Sequence, residues 1–99
     1  MEIKKIVSGD RFELKVKGRI DGAGSNQMEI NIIAAIREGA AKVFINLAEA
    51  DFLCSAGVRV LLQYYRQMKN SQKTLRVINP SPNVESVLDL TGFKDLIVV

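Results

Sequence analysis

Histidine is absent from the chain, and cysteine occurs once, as Cys54. Without imidazole there is no histidine general acid or base and no Ser-His-Asp triad, and one thiol alone cannot assemble a Cys/His zinc site. Unaided enzyme chemistry is therefore not expected, and the chain reads as a binding module that needs neither metal nor cofactor. A lone cysteine also excludes an internal disulfide framework and suits a reducing compartment. There is no signal-peptide pattern and no apolar run of membrane-spanning length, so the expected location is the cytoplasm, without membrane insertion. A phosphate-loop pattern is missing too, which counts against a nucleotide-binding enzyme. No linker, internal repeat or low-complexity tract divides the sequence.

What is present is enough for one core. Ninety-nine residues with 47% hydrophobic content make a single domain, residues 1–99, able to fold without staples. The formal charge is +3, with an early excess in Lys4, Lys5, Arg11, Lys15, Lys17 and Arg19. These alternate with apolar residues instead of forming a block with interleaved aromatics, so a solvated sheet face is expected and no direct nucleic-acid partner.

Phe12, Leu14 and Val16 alternate with Arg11, Glu13, Lys15 and Lys17, the period of a strand with one buried and one wet face. Ser8-Gly9-Asp10 supplies a turn pairing it with an earlier strand around Ile3 to Val7. From about Ser25 to Glu38 the period becomes helical, with Met28, Ile32, Ala35 and Ile36 on one face and Gly39 as the left-handed residue beyond the end. Lys42 to Leu47 is a nearly continuous apolar run, which predicts a strand buried on both faces. Val58, Leu61, Leu62, Tyr65 and Met68 repeat at helical spacing, with Tyr64 off that stripe and expected to be exposed. Leu75 to Ile78 predicts another short buried strand. Ser81 and Pro82 open a third helix, with Val84, Val87 and Leu88 inward and Thr91-Gly92 at its end. Phe93 and Leu96 to Val99 then pack back as a helical turn or edge strand. The fold class is α/β, a mixed sheet of about four to five strands with its helices mainly on one side.

Ser55 stands where the apolar segment Phe52-Leu53-Cys54 becomes the second helix. A hydroxyl there is either an N-cap, worth about 1 kcal/mol, or a switch. The first N–H groups of a helix lack intrahelical partners and its dipole is positive at that end, so a phosphate on Ser55 would be well solvated. It would also bring roughly two negative charges to the surface and repel a partner packed there. Cys54, between apolar neighbours, reads as a small buried hydrophobe. Gly57 in the first turn would let a partner backbone approach closely. Arg59 is a long cation near enough to pair with a phosphate on Ser55.

Several stretches together resemble the STAS domain, and within it the bacterial anti-sigma-factor antagonists. They are the opening hairpin, Gly18-Arg19-Ile20-Asp21, Val43-Phe44-Ile45-Asn46-Leu47, Phe52 to Leu62, and Val84 to Phe93, in that order along the whole chain. In that family the segment before the second helix usually reads Phe-Ile-Asp-Ser-Ser/Thr-Gly-Leu-Gly, and the serine after the aspartate accepts the phosphate. Ser55 falls on that serine and Gly57 on the following glycine. The resemblance implies a partner switch: the unphosphorylated protein binds an anti-sigma factor that is also a serine kinase, the sigma factor is freed, and a phosphatase resets the cycle. It also implies a partner-binding surface around Ser55, formed by Asp21, Cys54, Ala56, Gly57 and Arg59.

The sequence departs from the family pattern at three places. Cys54 and Asn46 stand where aspartates are common, and Gly22-Ala23-Gly24-Ser25 replaces a threonine-bearing helix entry. Two alternatives therefore stay open: a non-phosphorylated STAS adaptor subunit of a transporter or stress-signalling complex, and a small nucleotide-binding protein.

Overall fold

The computed structural model describes all residues, Met1–Val99. The elements run β1 (Glu2–Ser8), β2 (Arg11–Ile20), α1 (Gly22–Arg37), β3 (Lys42–Leu53), α2 (Ser55–Asn70), β4 (Thr74–Ile78), α3 (Pro82–Leu90) and α4 (Lys94–Ile97). One four-stranded sheet has the order β1-β2-β3-β4. β1 and β2 form the antiparallel hairpin, and β2, β3 and β4 are parallel through their helical crossovers. The turn glycine Gly9 has φ +61°, and Gly39, beyond α1, has φ +93°, as their positions in the sequence require.

Register explains which face is buried. Phe12 and Leu14 of β2 line up with Val43 and Ile45 of β3, which line up with Leu75 and Val77 of β4, and Val16 shares their face. All are at most 4% exposed. Met28, Ile32 and Ala35 of α1 and Val58, Leu61, Leu62, Tyr65 and Met68 of α2 close the other side of this layer. Val84, Leu88 and Ile97 complete the same core from α3 and α4. Ser81 caps α3 by accepting the Val84 N–H, with Pro82 at the first helical position.

Four expectations are corrected. β3 and β4 are buried on one face only: the alternate residues Phe44, Asn46 and Arg76 are half-exposed, because no helix covers that side. β3 also continues past Leu47 to Leu53, so the Phe52 segment belongs to the same strand. α1 starts three residues early, because the Asp21 carboxylate accepts the Gly24 N–H at 2.9 Å and caps the glycine-containing first turn. Tyr64 is 5% exposed, not a surface anchor, and its hydroxyl donates to Glu29 Oε2 of α1 at 2.8 Å. Burial, with Glu29 beside it, raises its phenol pKa.

Candidate functional site: two helix starts at one end of the sheet

The parallel pairing of β2 with β3 brings Ile20 opposite Leu53, and both strands end there. Each chain then turns into a helix within one or two residues. Asp21 becomes the N-cap of α1 and Cys54 the N-cap of α2. The Cys54 N–H donates to the Ile20 carbonyl at 3.0 Å, tying the two turns together. Ser25, 1% exposed, donates its hydroxyl to the Asp21 carbonyl at 2.7 Å and lies 3.5 Å from Cys54 Sγ. Two helix N-termini therefore converge at the carboxyl end of a parallel strand pair, the usual place for a functional site in an open α/β sheet.

Ser55 is exposed, as the first helical residue of α2. It is not the N-cap: Cys54 holds that position, with φ −87° and ψ 171°, and its side chain makes no capping hydrogen bond. Nor is Cys54 a buried hydrophobe, since it is half-exposed. Burial pushes its thiol pKa up, but the Ser25 hydroxyl and the N–H groups of Gly57 and Ala56 outweigh this and hold it below the ordinary value. The first turn of α2 carries no acidic residue, so nothing there competes for the free N–H groups.

The remaining expected site residues divide. Asp21 and Arg59 are exposed and Ala56 is half-buried, all on the turns that flank Ser55. Gly57 is buried, and a Cβ there would lie 2.6 Å from Leu53 Cδ1 and 3.0 Å from Ile20 Cγ2. The close approach it permits is to its own core rather than to a partner backbone. Asn46, far from Ser55 on the uncovered face, donates to Glu13 Oε2 at 3.1 Å and accepts the Ala48 N–H at 3.0 Å. It anchors an irregularity in β3 that sequence periodicity did not reveal. Ser25, the link between the two helix starts, was also missed; a serine followed by apolar helical spacing gave no sign that it was inside.

The site thus offers an exposed serine hydroxyl beside two helix starts at one end of a single-core α/β domain. Residues 2–99 match the STAS domain, and the chain belongs to the STAS domain family. It is similar to the anti-sigma-B factor antagonist of Staphylococcus epidermidis, 27% identical over 99 residues that cover 100% of this chain and 92% of that protein. Its fold is similar to that of the anti-sigma factor antagonist SpoIIAA in its unphosphorylated form, with TM-score 0.84, 23% identity, and 98% and 86% of the two chains covered. Phosphorylated SpoIIAA of Bacillus superimposes with TM-score 0.77 at 22% identity, covering 98% and 89%. No helix of this chain is long and apolar enough to cross a membrane.

Proposed function

We propose that the protein is an anti-sigma-factor antagonist of the cytoplasm that binds an anti-sigma factor with serine-kinase activity, and that phosphorylation of Ser55 breaks this complex. The observation that carries the reading is an exposed serine as the first residue of α2, with no acid in the turn that follows. In the reaction Ser55 Oγ bonds to the γ-phosphorus of ATP, the bond to the β-phosphate oxygen breaks, ADP leaves, and the hydroxyl proton passes to a base of the kinase. The new group carries about 1.5 to 2 negative charges. On this side of the interface it meets free N–H groups and the positive pole of the helix. Arg59, four residues on, shares that helix face and is positioned to pair with it. Against a partner packed on Asp21 and Ala56, the same charge is repulsive. Each 1.4 kcal/mol of repulsion or lost packing weakens binding tenfold, so a few kcal/mol make a switch. A phosphatase that removes the group restores the binding form.

Support also comes from relatives named as antagonists and from a similar fold solved with and without phosphate. The test is intact mass after incubation with the cognate kinase and ATP. Wild type should gain one phosphoryl group and Ser55→Ala none, and the phosphorylated protein should fail to retain the kinase. Equal uptake by both proteins eliminates Ser55. No uptake with undiminished kinase binding favours the adaptor alternative.

A further inference from the structure

The face of the sheet opposite the helices carries the net charge of the molecule. By register, Lys4 of β1, Arg11, Lys15, Lys17 and Arg19 of β2, Lys42 of β3 and Arg76 of β4 project from it, with Glu2, Glu13 and Glu49 as the acidic residues. Seven cations less three anions is +4, against a formal charge of +3 for the whole chain. The helical layer and remaining surface therefore carry no positive excess.

Within this face Lys4 and Lys15 are register partners across the antiparallel hairpin. Like charges directly opposite one another destabilise a sheet. Neither ammonium has a carboxylate within ion-pair distance, whereas the neighbouring Lys5, on the other face, is paired with Glu38 at 2.9 Å. The two lysines, with Lys17 and Asn46, line a groove of about 650 Å³ that runs to the irregularity of β3 at Ala48–Glu49. Glu13, on the same face but outside the groove's lining, is already engaged by the Asn46 amide.

We propose that this groove is a docking site for an acidic polypeptide segment, whose carboxylates seat between Lys4, Lys15 and Lys17. Shape and chemistry favour that occupant. A concave groove keeps its lysines away from a flat lipid surface. The aromatic rings of the face are not free to stack bases either: Arg11 lies over Phe44 and Arg19 over Phe52, each 4.1 Å from the ring centroid. Glu2 and Glu49 at the groove walls oppose a continuous phosphate backbone but offer acceptors to the N–H groups of a peptide of mixed polarity. An extended segment with alternating acids would present carboxylates to the lysines and quench the repulsion between Lys4 and Lys15. The site does not involve Ser55, so it stands whether or not that serine is phosphorylated.

Fluorescence anisotropy with a short labelled peptide alternating Asp and Ser tests this, with the Asn/Ser peptide as the neutral control. Wild type should bind the acidic peptide selectively, and more weakly as salt is raised. Lys4→Ala/Lys15→Ala should lose about tenfold in affinity, while Arg66→Ala/Lys73→Ala, the same charge change on the helical side, should lose little. Circular dichroism and urea unfolding should show the first variant folded and no less stable than wild type, since a repulsive pair has been removed. Equal losses in both variants, no selectivity over the neutral peptide, or tighter binding to oligothymidylate or phosphatidylserine vesicles would overturn the proposal.

Discussion

At the start of α1 the Asp21 carboxylate accepts the Gly24 N–H at 2.9 Å, whereas one strand away, at the start of α2, Cys54 occupies the same cap position and its side chain bonds no helix N–H. The two turns are otherwise built alike, each following directly from a strand of the same parallel pair. The first is a finished structural joint. The second has no carboxylate on its leading N–H groups, which face only the Cys54 thiol, and puts the exposed hydroxyl of Ser55 next to them. An unsatisfied helix end costs stability, by about the worth of a missing cap, and here that cost falls at the position where added negative charge would recover it.

The largest expected effect is in packing, where the two starts are alike at their third residue and the first residue of α1 differs. Gly57→Ala would drive a Cβ into Leu53, Ile20 and the Ser25 hydroxyl at 2.6, 3.0 and 3.2 Å, and should cost about 1–3 kcal/mol by overpacking. Gly24, the corresponding third residue of α1, is as crowded, with the Arg19 carbonyl oxygen 2.7 Å from where a Cβ would lie. Gly22→Ala, at the α1 position that matches Ser55, meets nothing within 4 Å and should change stability by less than about 0.5 kcal/mol. Urea unfolding of Gly57→Ala and Gly22→Ala measures the difference, and similar costs would mean that the third position of α2 is no tighter than the first position of α1.

Removing each cap residue is the next test. Asp21→Ala should lose about 1 kcal/mol of stability, and Cys54→Ala clearly less, because Cys54 caps nothing. Equal losses in urea unfolding would end the distinction between a finished and an open joint.

The smallest effect is in pH. The Cys54 thiol is held below its ordinary value of 9.0 in the folded protein, so the folded state binds that proton less tightly than the unfolded chain does. Its stabilising contribution is complete above the ordinary value and is lost as pH falls through the folded one. Wild type should therefore gain on Cys54→Ala as pH rises toward 9.0, seen in urea midpoints across that range. A flat or opposite trend would show that Ser25 and the α2 N–H groups do not favour the thiolate.

Where one face of an element meets one partner, the sequence pattern was sufficient. The alternation of Phe12, Leu14 and Val16, the stripe from Val58 to Met68 and the Ser81-Pro82 helix start all appear as expected. The misses have a common physical origin in contacts distant along the chain. Tyr64 is buried because Glu29, 35 positions earlier, receives its hydroxyl. β3 was read as ending at Leu47 because the irregularity around Ala48–Glu49, held by Asn46, interrupts the period-two pattern. The continuous apolar look of Val43 to Leu47 came from Phe44, whose ring is covered by Arg11 rather than by a helix. At the candidate site, Ser55 could be located to the residue, but its standing as first helical residue rather than cap depended on the backbone angles of Cys54. Gly57 could be noticed, though not that its absent side chain makes room for Leu53.

The chain has no tryptophan and two tyrosines, and both tyrosines are buried side by side in α2. Ultraviolet emission from the protein therefore originates almost wholly within the helix that Ser55 begins. A carboxylate accepting the Tyr64 hydroxyl makes that emission sensitive to how α2 lies against α1. The molecule thus carries a label-free optical gauge of one helix, which a tryptophan elsewhere in the fold would have drowned.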